Sequence, residues 1–218
     1  MESLLEIFAL LTDANFIMER GGLYLVLIIL FIETGIILGF FLPGDPLLFI
    51  SGMIIASATE TPYPFDNHYF NLIFWEILFM ASTIAGYFVG YWFGKKFSYV
   101  FSRKEETWLI KKKHIESATK FYENKGGFAI TIARFLPIVR TFIPVVGGIV
   151  GMNFKLFTYY NIIGAVLWVG SIVTMGFFLG NIPFVKNNLE WIILGIILVV
   201  TLPVISQLVF KKKEKEVE

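Results

Sequence analysis

The chain has no cysteine and only two histidines, His68 and His114. Without thiols there can be no disulfide, thiolate zinc site or iron–sulfur cluster. One histidine lies in a polar connection and the other in a basic stretch, so they cannot build a metal centre or a phosphohydrolase nucleophile inside a membrane. Also missing are a Walker-type phosphate loop, a nucleophile elbow and a His-Glu zinc motif. No metal, no cofactor and no enzymatic role are therefore expected, nor ATP-driven transport by this chain alone.

What the chain has is apolar surface. Of its 218 residues 56% are hydrophobic and 17% aromatic, with a mean hydropathy of +0.73; this is an all-α integral membrane composition. Apolar runs cover about residues 23 to 42, 46 to 58, 69 to 94, 128 to 151, 156 to 180 and 190 to 210. Several reach the roughly 20 residues that span a bilayer, but the run at 46 to 58 is too short to cross alone.

Charge is distributed unevenly. Nine of the eighteen basic residues fall within 95 to 125 and four more follow Phe210, so both regions are expected to be cytoplasmic. The connection at 60 to 69 has no Lys or Arg and that at 181 to 190 only Lys186, which reads as external. Glu2, Glu6, Asp13 and Glu19 carry the wrong sign for a signal-peptide n-region, and residues 1 to 20 are expected to form an interfacial amphipathic helix. Basic residues alternate with Trp108, Ile110, Ile115, Phe121 and Tyr122 in the stretch 95 to 125, as in a helix lying on an anionic leaflet. The tail "KKKEKEVE" reads as a stop-transfer anchor.

These assignments close only if residues 21 to 58 start and finish outside and residues 126 to 152 start and finish inside. Each segment is then a re-entrant helical hairpin, the first turning at Pro43, Gly44 and Pro46 and the second breaking at Pro137 and Pro144; ordinary membrane helices kinked at those prolines are the alternative. Hairpin plus crossing helix occurs twice, with crossing helices at 69 to 94 and 155 to 180, followed by a final helix and basic tail in 181 to 218. That is an inverted repeat, a plan common among secondary transporters. Gly86, Gly90 and Gly94, with Gly35, Gly39, Gly176 and Gly180, have the small-residue spacing of close helix packing.

Five ionisable residues interrupt apolar runs: Glu33, Asp45, Glu76, Arg134 and Arg140. Each costs about 2.5 to 3.5 kcal/mol at a bilayer centre on insertion scales, so they should face one another or a wet cavity. If the hairpin tips meet, two acids face two guanidinium groups. Guanidinium stays charged and grips phosphate bidentately, whereas a desolvated carboxylate can take up a proton. Arg134 and Arg140 are thus candidate anion ligands and Glu33 and Asp45 candidate proton carriers. Glu76, nearer the end of its helix, is a secondary candidate. Internal ion pairing that merely holds two halves together remains the structural alternative.

The stretches "FIETGIILGFFLPGDPLLFISG", "GFAITIARFLPIVRTFIPVVGGIVGMNFKLF" and "NIIGAVLWV" resemble the DedA membrane family, also called the SNARE-associated or VTT domain family, over roughly residues 20 to 180. The most specific part is Arg-x-x-Pro-x-x-Arg-Thr-x-x-Pro followed by a glycine pair. The resemblance implies a bacterial cytoplasmic-membrane protein that moves lipid: undecaprenyl phosphate, a phospholipid such as phosphatidylethanolamine or, in eukaryotic relatives, phospholipids by scrambling. It implies essential roles for Glu33, Asp45, Arg134 and Arg140, and adds Thr141. Tyr87 departs from the acidic or amide residue that many members carry there, and Ser98 from a common glycine. The expected partners are membrane lipid and protons, with no nucleic acid; self-association is left open. A proton-coupled small-solute antiporter and a non-transporting membrane assembly factor are the rival readings.

Overall fold

A computed structural model describes residues 22 to 36, 42 to 57, 64 to 101 and 127 to 180, with isolated positions at 39, 182, 183, 185 and 195. The expected interfacial segment 1 to 20, most of the basic linker including His114, and the final helix and tail lie outside the described residues. Among those described, the regular structure is helical throughout: α1 (Gly22–Gly35), α2 (Gly44–Ser57), α3 (His68–Phe101), α4 (Phe128–Ala133), α5 (Pro137–Ile149) and α6 (Phe154–Leu179).

Length divides them. Helices α3 and α6, of 34 and 26 residues, rise about 51 and 39 Å, enough to cross a hydrocarbon core of about 30 Å. Both are also apolar enough to do so. Helices α1 and α2, of 14 residues each, and α5, of 13, rise only about 20 Å. The expected crossing segment 69 to 94 is exceeded, since α3 runs on to Phe101 and absorbs the start of the linker.

Two breaks set the short helices. Between α1 and α2, single turns closed by Gly39 N to Ile36 O (2.8 Å) and Leu42 N to Gly39 O (2.9 Å) redirect the chain. Gly44 and Pro46, expected to end a helix here, instead lie in the first turn of α2, where the N–H that proline lacks has no intrahelical acceptor. The second break falls where expected, before Pro137: Arg134 caps α4, and Leu136 is extended (φ −110°, ψ 104°), as a residue preceding proline prefers. Pro144 does not break α5, which continues to Ile149. A Cβ on Gly90 of α3 would lie only 3.0 Å from the Pro144 ring, so the ring packs where α3 has no side chain.

The strongest packing pairs α2 with α6 and α3 with α5; α1 lies on α3, α4 on α6, and α3 crosses α6. Exchanging α1, α2 and α3 for α4, α5 and α6 leaves those pairings unchanged. The two principal interfaces also repeat in detail. A Cβ at Gly52 would strike the Val173 carbonyl and Phe177 N, and one at Gly176 the Phe49 carbonyl. In the other interface a Cβ at Gly148 would strike the Tyr91 carbonyl and Lys95 N, and one at Gly94 the Val145 carbonyl. Backbone thus meets backbone twice in the same register, the packing expected of small residues between membrane helices.

Polarity is arranged inside out. Exposed Phe70, Ile73, Ile77, Trp92 and Phe93 on α3 and Val166, Leu167 and Phe178 on α6 give the two long helices an apolar exterior, as lipid-facing helices require. Buried Thr34, Ser51, Asn71, Thr83, Thr131 and Asn161 all find partners, for instance Thr131 donating to the Tyr160 carbonyl at 3.1 Å and Ser51 to the Leu47 carbonyl at 2.7 Å. The return from α5 to α6 uses Gly151 at φ 68°, with Asn153 accepting from Lys155 N and Leu156 N and Tyr91 Oη donating to the Met152 carbonyl at 2.6 Å. His68 Nδ1 lies 3.1 Å from the Ile55 carbonyl, tying α3 to the end of α2.

These contacts predict a sharp contrast among glycines. Gly94→Val or Gly176→Val drives a side chain into a backbone carbonyl and should cost at least the roughly 1 to 3 kcal/mol of an overpacked core. Gly170→Ala meets only Met80 Cε at 3.6 Å and should be neutral or slightly stabilising. Thermal unfolding of the three variants in detergent tests the contrast.

Candidate functional site

The site lies where the breaks bring helix ends together. Glu33 near the end of α1, Asp45 in the first turn of α2 and Arg140 in the first turn of α5 are 0%, 6% and 4% exposed. Arg140 Nη1 donates to Asp45 Oδ1 at 2.6 Å, and Nη2 donates to Glu33 Oε1. Trp168 of α6 supports the same group twice: its Nε1 donates to Asp45 Oδ1 at 2.9 Å, and its ring lies 4.7 Å from Arg140 Cζ. One guanidinium is therefore held by two carboxylates and an indole from three other helices. Thr141, next in the chain, is buried beside it.

The glycine of the Pro-Gly-Asp turn has a steric role that helix propensity does not suggest. A Cβ on Gly44 would land on Glu33 Oε2. The carboxylate fills the volume that any larger residue would need, so Gly44 permits Glu33 to reach Arg140.

Arg134 is separate. It is 0% exposed and, among the described residues, meets no acid. Its Nη2 donates to Asn161 Oδ1 of α6, and its Cζ lies 3.9 Å from the centre of the Tyr87 ring of α3 and 6.0 Å from that of Trp168. Asn161 Nδ2 donates to the Ile84 carbonyl at 3.4 Å. Arg134 Nε and Nη1, Arg140 Nε, Tyr87 Oη and Glu33 Oε2 are buried without a hydrogen bond among the described residues. The expectation of two acids facing two arginines is thus corrected: both acids face Arg140.

Glu76 does not join the cluster. It accepts from Thr174 Oγ1 at 2.7 Å, eleven residues before Tyr87 on the same helix, about 16 Å along its axis. Tyr87, Asn161 and Trp168 are the functional candidates that the charge pattern missed. A signal existed for each: an amide and an indole in the apolar stretch of α6, and a tyrosine where the family resemblance implies an acidic or amide residue.

Among the described residues the fold is helical, two of its helices are long and apolar enough to cross a membrane, and an ionic cluster is buried between interrupted short helices; this is the plan expected of an integral membrane protein. The VTT domain matches residues 42–178. Over 202 residues, 92% of this chain and 89% of the relative, the sequence is 36% identical to protein DedA of Escherichia coli K12. It is 36% identical over 179 residues to an uncharacterised membrane protein of Mycobacterium leprae, covering 81% and 75% of the two chains. An inner membrane protein of Escherichia coli K12, YghB, is 30% identical over 187 residues, 83% and 77% of the chains. No solved structure matches. The chain belongs to the DedA, or VTT-domain, family of bacterial membrane proteins.

The Gly44 contact predicts coupling. Gly44→Ala should push Glu33 off Arg140 and cost several kcal/mol, as breaking a buried ion pair does (about 3 to 5 kcal/mol). In a Glu33→Ala background the same substitution should cost much less, because the obstructing carboxylate is gone. A double-mutant cycle of unfolding free energies measures this difference.

Proposed function

We propose that the protein carries a phosphate-bearing lipid, undecaprenyl phosphate or a phospholipid such as phosphatidylethanolamine, across the cytoplasmic membrane, and that it acts as a transporter and not as an enzyme. The observation that carries this reading is the burial of two guanidinium groups at the interruption of three short helices, with N–H groups still unused. Guanidinium is the side chain best suited to phosphate. The head group meets Arg134, Arg140 and Thr141 while the lipid tail stays in the bilayer.

In this reading residues 21 to 58 and 126 to 152 are re-entrant hairpins entering from opposite faces. Residues 69 to 94, 155 to 180 and the later apolar run cross the membrane; residues 1 to 20 lie at the interface, and residues 95 to 125 and the tail are cytoplasmic. Short α1, α2 and α5, together with pairings that survive exchange of the halves, support an inverted repeat.

The packing also suggests which parts move. The bodies that rock are α1, α3 and α5 against α2, α4 and α6, because each short inner helix is locked to the long helix of the other half. Glu33 and Arg140 then travel together. The Arg140–Asp45 bridge and the Arg134–Tyr87 stack cross the moving boundary.

Charge balance supports proton coupling. With both acids ionised the four buried charges sum to zero. A singly charged phosphate entering alone leaves an excess negative charge in low dielectric, whereas one entering with a proton on Glu33 or Asp45 keeps the set neutral. Protonation also loosens the acids' hold on Arg140.

In liposomes, Arg134→Lys and Arg140→Lys should each reduce translocation of labelled lipid at least tenfold while the protein stays folded; undiminished rates in both would remove the clamp. Lipid movement should respond to an imposed pH gradient, and Glu33→Gln or Asp45→Asn should lose that response. A response unchanged in both variants would leave a passive scramblase, and solute flux without lipid movement would favour an antiporter.

A further inference from the structure

The two arginines are unequal, and their inequality points to a division of labour within the site just proposed, on which this inference rests. Arg140 faces two carboxylates. Arg134, equally buried, has a neutral amide on one nitrogen, an aromatic face beside it and, among the described residues, no hydrogen bond from Nε or Nη1. Close to that guanidinium, the Tyr87 hydroxyl is itself buried and unpaired. A permanently charged group with two nitrogens left over and a neutral donor with no acceptor, both desolvated, form a costly arrangement unless an anion joins them.

We infer that Arg134, Tyr87 and Asn161 form a subsite that receives the phosphate, distinct in role from Arg140, and that Tyr87 and Asn161 determine its affinity. Arg134 supplies one uncompensated positive charge, the N–H of Nε and two more on Nη1. Tyr87 presents its ring to the cation and its hydroxyl to a phosphate oxygen. Asn161 is a positioning residue: it holds Nη2 through Oδ1 and is itself anchored on the Ile84 carbonyl. Neutrality is the essential property of both partners. A carboxylate at either place would compensate Arg134 internally and compete with the ligand. One net positive charge matches a singly charged phosphate, whether a diester or a half-ionised monoester.

The test uses substitutions for which structure and binding predict opposite signs. Asn161→Asp keeps the shape and gives Arg134 a counterion, a gain that outweighs the 3.4 Å hydrogen bond to the Ile84 carbonyl that a carboxylate cannot make; Tyr87→Phe keeps the ring and removes an unpaired buried hydroxyl. Both should leave the thermal midpoint of the detergent-purified full chain unchanged or higher. Binding is read by titration with two probes, farnesyl phosphate as a monoester and dihexanoylphosphatidylglycerol as a diester. Loss of a desolvated, uncompensated charge should weaken binding at least about tenfold in Asn161→Asp, and loss of one hydroxyl contact about three- to tenfold in Tyr87→Phe. The probe that binds the unaltered protein more tightly identifies the ester class.

Unchanged affinity in both variants overturns the inference, as does a loss of affinity that merely tracks a loss of stability. The transport reading fails separately. If the probes bind in an Arg134-dependent manner and no lipid moves in liposomes, the subsite stands and transport does not. If lipid moves at the unaltered rate in both variants, transport stands and the subsite does not.

Discussion

The guanidinium of Arg140 is buried in a helical domain, and two carboxylates that arrive on different helices compensate it. Most of the local architecture follows from bringing those groups together. An unpaired ion costs several kcal/mol in such surroundings, more than most single packing contacts contribute. Glu33 reaches the position at the end of α1, Asp45 at the start of α2 and Arg140 at the start of α5. Three helix ends can converge only because each helix is interrupted there. Gly44 has no side chain so that a carboxylate can occupy its place. Trp168 closes the remaining side with an N–H for Asp45 and a π face for Arg140.

The second constraint is close backbone approach. Gly52 and Gly176 join α2 to α6 as Gly148 and Gly94 join α5 to α3. These contacts leave little freedom to slide, because the opposing atoms are carbonyls and not adaptable side-chain tips. Each interface therefore behaves as a stiff joint between the inner helix of one half and the long helix of the other. Units defined by packing consequently differ from units defined by sequence: each stiff pair takes one member from either half. Glu33 and Arg140 lie on helices packed on α3, whereas Asp45 lies on the helix packed on α6, so the two acids are mechanically different partners of one arginine.

Much of this was readable from the residues. Charges inside apolar runs marked Glu33, Asp45, Arg134 and Arg140 because their cost in hydrocarbon demands partners, and all four are buried. Glycine spacing marked one member of each close interface, Gly176 and Gly94, because only the absence of Cβ permits such contacts, but not their counterparts Gly52 and Gly148. Pairing was not readable: a count of two acids and two bases cannot say that both acids choose one base. Pro144 misled because its effect depends on a groove at Gly90 supplied by another helix, and Pro46 because a proline at a break and a proline opening the next helix look alike in sequence. Asn161 and Trp168 were hidden by their surroundings, since an amide or indole in an apolar helix gains its meaning only from what lies opposite. Glu76 shows the converse, a charge-bearing residue whose hydroxyl partner removes it from the cluster.

The contrast between the arginines bears on how a membrane site can both bind and release. A buried cation fully compensated by protein carboxylates has little affinity left for an external anion, as its ligand must displace a partner of the same sign and similar geometry. A buried cation with no partner at all would be expelled toward water or would unfold the region around it. Arg134 lies between these limits: an amide fixes its direction, an aromatic ring offers quadrupolar stabilisation without a full charge, and its remaining N–H groups are left for something else. Arg140 sits nearer the compensated limit, with a carboxylate on each of its two Nη groups. Lysine could satisfy neither condition as well, since its point charge cannot present a fixed planar fork to one partner while keeping other donors aimed elsewhere. The repeated arginine in the motif thus supplies two different chemical devices, and the neighbours on α1, α2, α3 and α6 decide which is which.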